Sequence, residues 1–153
     1  MIDWTDTVLR LGAASAMGGV IGLNRNLHGK PSGLRTLALV GLGSATMMLV
    51  AIGEGADPQA VSRVLQGLLT GVGFLGAGVI LHEAADKKVH GLTTAATIWV
   101  TACLGAACGA GALRLAVTAF AVVALVLLFG GPLEKSLRRV LDRHSRPPDD
   151  GQK

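Results

Sequence analysis

The chain has 153 residues, half of them hydrophobic and 16% charged, with a mean hydropathy of +0.53. That balance excludes an ordinary soluble enzyme and places the chain among all-α polytopic membrane proteins. The formal charge of +4 comes with no pattern pointing to nucleic acid.

Five apolar stretches, at 5–23, 34–53, 64–81, 92–109 and 115–131, are each close to the ~20 residues a helix needs to span a bilayer. They predict a bundle of about five transmembrane helices. Pro31, Pro58 and Pro132 fall between or after them and are expected to punctuate junctions. In the first stretch Ala14-Ser15-Ala16 resembles a signal-peptidase site. The residues ahead of it are acidic rather than basic, so an uncleaved span is the expectation. Asp6, the only acidic residue in the five stretches, sits one helical turn from Arg10.

The third stretch contains Gly71, Gly73 and Gly76 in the spacing G-x-G-x-x-G. A dinucleotide-binding turn would need a strand before it and a helix opening at the glycines. An uninterrupted apolar run makes these instead the glycines of a thin helix. On a helical wheel Gly67, Gly71 and Gly78 share one flank, and Gly73 and Gly76 lie on the other. Two bare flanks predict close packing on both sides, with this helix at the centre of the bundle. Gln66 and Thr70 align with Gly73 and Ala77 as a narrow polar stripe, suited to a helix-to-helix hydrogen bond.

The fourth stretch places Thr94, Thr97, Thr101, Gly105 and Cys108 on one face. Threonine hydroxyls can bond the carbonyl one turn earlier, or line a polar cavity. Trp99 lies too deep for an interface anchor and reads as a core or groove residue. Cys103 and Cys108 point about 140° apart on a helix, so small packing residues, not a disulfide, are expected. The loop His82-Glu83-x-x-Asp86-Lys87-Lys88-x-His90 matches no standard metal spacing, and its lysines compete for the carboxylates. No metal, cofactor or catalytic constellation is expected.

Beyond the fifth stretch, Leu133, Leu137, Val140 and Leu141 alternate at helical spacing with Lys135, Arg138, Arg139 and Arg143. This reads as a basic amphipathic interfacial helix over 132–143, followed by a disordered tail over 144–153, after a membrane domain over 1–131. Eleven Lys and Arg residues fall on the side of the 24–35 loop, the 82–91 loop and the tail, and three on the other. The positive-inside rule then puts the N-terminus outside and the C-terminus in the cytoplasm. At the cytoplasmic end, helix beginnings with free N–H groups meet Arg25 and Arg35. Asn24, Arg25, Ser32, Arg35, Thr36, Thr93 and Thr94 become candidates for binding an anionic group, phosphate or lipid headgroup. Snorkelling arginines that merely obey the charge rule are the plainer reading.

The segments GGVIGLNR, KPSGLRTLALVGLG, GVGFLGAGVI and VHGLTTAATIWVTACLGAACGAG, in this order over about residues 10–131, resemble the transmembrane part of the MgtC/SapB family. The resemblance implies a multi-pass bacterial inner-membrane protein of about five helices. It also implies a role in low-magnesium adaptation and survival inside macrophages, by restraining the membrane ATP synthase and altering phosphate and magnesium balance. The resemblance also implies that family members typically carry an acidic residue before the arginine that ends the first helix, where this chain has Asn24. The soluble cytoplasmic domain of long members has no counterpart in the 22 residues after Gly131.

The combined expectation is a non-enzymatic membrane protein that modulates magnesium or phosphate homeostasis by binding a membrane partner or an anionic ligand. Its ligand or partner residues would include Thr97, Gln66 and Thr70, and its small helix faces suit a homodimer. The competing expectation is a transporter or channel whose route is lined by Gln66, Thr70, Thr94, Thr97 and Thr101.

Overall fold

A computed structural model describes residues 3–53, 57–83 and 91–144. Their order is α1 (Trp4–Leu27), α2 (Leu34–Ala51), α3 (Pro58–Glu83), α4 (Leu92–Gly109) and α5 (Leu113–His144), with no strand among the described residues. Contacts divide the chain into two units, residues 1–120 and 121–153. The first holds α1 to α4 with the opening turns of α5. The described part of the second is the remainder of α5.

Polar caps set the starts of α1 and α3, whereas α2 and α4 open after Gly33 and Gly91 with no side-chain cap. The Asp3 carboxylate accepts the Trp4 backbone N–H at 2.8 Å and begins α1 ahead of the first apolar residue. Asp57 does the same for α3, accepting the Gln59 N–H at 3.0 Å. Pro58 opens that helix, where its missing N–H costs nothing. Hence α3 begins six residues before its apolar run. Gly29, Ser32 and Gly91 take positive φ angles in the connections before α2 and α4.

Among the described residues four helices are long and apolar enough to cross a membrane: Leu34–Ala51, Gln59–Ile80, Leu92–Gly109 and Leu113–Leu133. The sequence expectation was five. α1 falls outside the set because Asp6, Arg10, Asn24 and Arg25 interrupt its apolar composition. Its inward face of Ala14, Gly18, Ile21, Gly22 and Arg25 follows helical spacing.

The expected central place of α3 is corrected. The helices that each touch three others are α2 and α4, and α1 packs against both. Of α4's span 56% is buried, against 11% of α3's. The close approach is made at Gly41 of α2: a Cβ there would lie 2.5 Å from the Ala14 carbonyl oxygen of α1. On its other side, a Cβ at Gly105 of α4 would strike the Gly41 carbonyl. Three backbones are thus stacked with no side chain between them, which only glycine permits at the two inner positions. Gly18 and Gly22 hold α1 against α2 in the same way, and Gly109 holds α4 against α2.

Among the α3 glycines, Gly76 meets Ala95 of α4 at 3.3 Å, while Gly67, Gly71, Gly73 and Gly78 have no neighbour within 4 Å of a Cβ position. Trp99, expected in the core or a groove, is 50% exposed. It stands on the outer side of α4, whose inner face is filled by Thr94, Thr97, Ile98 and Thr101. Cys108 is fully buried against Ala14, Ala45 and Ala116, and both cysteines are free.

Pro132 does not end a helix. α5 runs through it to His144, a continuity that apolar helices tolerate better than soluble ones. The side chains of most of 134–144 and the whole tail over 145–153 lie outside the described residues, as does the 84–90 part of the loop considered for metal.

Candidate functional site

The end of α1, the 28–33 connection and the start of α4 meet around one cation. Arg25 occupies the last turn of α1, where a positive side chain is favoured by the helix dipole, and is only 4% exposed. Its Nε donates to the Pro31 carbonyl at 3.1 Å. One terminal nitrogen donates to the Thr97 hydroxyl at 3.3 Å, and the other donates to the Thr94 hydroxyl. These are among its partners. The Thr97 hydroxyl in turn donates to the Thr93 carbonyl at 2.6 Å, and Thr101 donates to the Thr97 carbonyl at 2.8 Å. Thr97 and Thr101 therefore bond the backbone of their own helix, while Thr94 and Thr97 accept from Arg25.

Burying a guanidinium costs heavily unless its donors are engaged. The planar fork of Arg25 lets three nitrogens reach an α4 hydroxyl pair and a loop carbonyl at once. The result is a fixed positive charge that ties α1 to α4 and to the segment leading into α2. Gly22 makes the approach possible: a Cβ there would lie 2.6 Å from the Gly33 carbonyl oxygen.

The remaining sequence-selected residues divide around this junction. Asn24 is half-buried, and its carbonyl lies 2.7 Å from His28 Nδ1. Ser32 is half-buried at a φ of 60°, and Thr93 is exposed. Arg35 and Thr36 line a different feature, a groove between α2 and α3. Gln66 and Thr70 are exposed on α3. Gln66 meets Ser62 of its own helix at 3.4 Å, and Thr70 donates to the Gln66 carbonyl at 2.9 Å. Thus Arg25, Thr94 and Thr97 come together, while the stripe of Gln66 and Thr70 is not part of the buried threonine face.

Sequence reasoning missed the contacts that build the junction: Pro31 as acceptor, and the glycine pairs Gly18/Gly22 and Gly105/Gly109. Both pairs have the G-x-x-x-G spacing, so the signal was present but was weighed only on α3. A second anchoring point lies at the other end of α1. Arg10 pairs with Asp6 at 2.7 Å and donates to the Gly109 carbonyl at 3.0 Å, pinning α1 to the end of α4.

Long apolar helices locked through bare backbone, with a buried arginine at one end, define a multi-pass helical membrane protein. The chain belongs to the MgtC family, whose model matches residues 11–136. It is 49% identical over 120 residues to Protein SrpB of Synechococcus elongatus, covering 71% of this chain and 66% of SrpB. It is 41% identical over 127 residues to YhiD of Escherichia coli K12, named there as a candidate magnesium transporter, covering 78% of this chain and 58% of YhiD. Protein MgtC of Salmonella typhimurium LT2 is 40% identical over 116 residues, or 76% of this chain and 48% of MgtC. The chain spans about half to two thirds of the length of these curated relatives. No solved structure matches it.

Proposed function

We propose that this chain is a non-enzymatic bacterial inner-membrane protein serving magnesium and phosphate homeostasis. In this reading α1 also spans the bilayer, the N-terminus lies outside, and the ends of α1, α2 and α4 that surround Arg25 face the cytoplasm. There the chain binds a membrane partner, with an ATP synthase subunit as the leading choice, or an anionic ligand. The observation that carries the reading is the burial of Arg25 between Thr94, Thr97 and the Pro31 carbonyl. A charge held this firmly inside an apolar bundle is retained at a cost in desolvation, which marks a functional position.

The test is growth of a low-magnesium-sensitive host complemented with wild type, Arg25→Gln or Arg25→Gln/Arg35→Gln, with affinity capture from native membranes. Loss of rescue and of captured partner at normal protein level is expected. Unchanged rescue and unchanged anion or partner binding in the double variant would overturn the reading.

Transport is the second reading, favoured by the name of YhiD. It requires magnesium, phosphate or proton flux from liposomes holding the purified chain, abolished by Thr97→Val with Gln66→Leu. The placement of Gln66 and Thr70 on an exposed face weighs against one route lined by all five polar residues within a single chain.

A further inference from the structure

A groove of about 910 Å3 lies between α2 and α3, within the roughly 300–1,000 Å3 of ordinary small-molecule sites. Its walls are apolar, with Leu39, Val72 and Leu75 among them. Its lining includes Gly43, Gly67 and Gly71, at which no heavy atom lies within 4 Å of a Cβ position. The bareness of these three glycines is what gives the groove its depth.

The two helices are joined by a short connection and run antiparallel. Met47 and Arg63 therefore mark the end of the groove near the connection, and Arg35 with Thr36 the opposite end. From Arg35 to Met47 is 12 residues of helix, about 18 Å at ~1.5 Å per residue. That is close to the ~15 Å of hydrocarbon in one leaflet, half of the ~30 Å core. Arg63 is paired with Asp57 at 3.6 Å. No hydrogen bond or ion pair engages Arg35 among the described residues, and it is exposed at the first turn of its span.

Charge decides between the occupants such a groove could take. The four candidate spans contain no Asp or Glu, and Asp6 of α1 is already paired with Arg10, so a span of a second copy laid into the groove brings no spare counter-charge to Arg35. A phospholipid brings a phosphate to the span boundary and an acyl chain to the apolar walls. We propose that the groove between α2 and α3 binds an anionic glycerophospholipid, its headgroup on Arg35 and Thr36 and an acyl chain over Gly43, Gly67 and Gly71. Arg25 does not line this groove; the proposal rests on the reading above only through Arg35, and Arg25→Gln alone, which leaves the groove intact, tells the two apart. A guanidinium on a phosphate makes a charge-assisted hydrogen bond that a zwitterionic lipid, whose own cation competes, satisfies less well.

Native mass spectrometry of the full chain in detergent, equilibrated with equimolar palmitoyl-oleoyl phosphatidylglycerol and phosphatidylcholine, tests this. Wild type should retain phosphatidylglycerol about tenfold over phosphatidylcholine. Arg35→Gln should lose the preference, and Gly67→Leu should lower retention of both lipids without changing circular dichroism. Should Gly67→Leu fail to fold, Gly43→Leu fills the groove from α2 instead. Equal retention of the two lipids by wild type, or an undiminished preference in Arg35→Gln, overturns the proposal. So does displacement of phosphatidylglycerol by millimolar inorganic phosphate, which assigns Arg35 to free phosphate. Dissociation of a dimer by Gly67→Leu with lipid retention intact also overturns it, giving the groove to a second copy.

Discussion

Thr94 illustrates how much a single hydroxyl can decide, because it accepts a hydrogen bond from a guanidinium that is almost completely enclosed. Thr94→Val keeps the shape and removes the acceptor, and should lower stability by about 1.5–3 kcal/mol, the range for hydrogen bonds to charged groups. Thermal melting of the purified protein in detergent measures it. Arg25→Lys should not restore wild-type melting, since a lysine cannot reproduce three donors in a plane. Asp3, at the other end of α1, makes a prediction in pH. The Thr5 hydroxyl, and then the Trp4 N–H, hold its carboxyl below its ordinary value of 3.8. A depressed carboxyl contributes helix-start stability in full above 3.8, and that contribution fades as pH falls through the lower folded value. Amide exchange at residues 4–7 should therefore stay protected until the solution is more acidic than the usual carboxylate range, and Asp3→Ala should lose that protection at neutral pH. The sequence grouped Arg25 with Thr93 and Thr94 at one end of the bundle and set Thr97 on the threonine face of α4; the structure bonds Arg25 to Thr94 and to Thr97. The sequence also grouped Arg35 with Arg25. Nothing in the spacing of Arg25 and Arg35 tells which side of α2 the second arginine takes; that depends on where α3 stands.

Three helices carry glycines four apart, at Gly18/Gly22, Gly67/Gly71 and Gly105/Gly109, and the structure uses them differently. The first and third pairs are pressed onto α2, and the second is open. Gly105→Ala should cost about 1–3 kcal/mol or more as the added methyl meets the Gly41 carbonyl. Gly67→Ala should be neutral or stabilising by up to ~1 kcal/mol, because helix propensity improves and nothing is displaced. Comparing the two melting temperatures checks both expectations, and equal effects would contradict the packing. This is also where sequence reading reached its limit. Apolar runs located α2 and α4 to within two residues but missed the capped start of α3 and the continuation of α5 past Pro132, and glycine spacing identified faces that can be approached. Yet in a membrane chain lipid and neighbouring helix are equally apolar, so hydropathy could not say which α3 flank met which. Trp99 was misplaced for the same reason: depth along a span does not distinguish an inward from an outward side chain.

For the whole molecule, the composition and the order of motifs identified a multi-pass membrane protein and its family, because both are properties of the entire chain. Orientation rests on charge bookkeeping and is open to direct measurement. A cysteine placed at residue 30 in a cysteine-free background should resist a membrane-impermeant thiol reagent in intact cells and react after permeabilisation. Labelling of intact cells would invert the proposed topology. The stack of Ala14, Gly41 and Gly105 bears on movement. Backbones laminated this closely cannot slide past one another without colliding, so α1, α2 and α4 behave as a rigid slab. α3 leans on that slab chiefly through α4, leaving its opposite flank unbraced. Parting α3 from α4 should leave that slab whole, because the backbone lock lies in α1, α2 and α4.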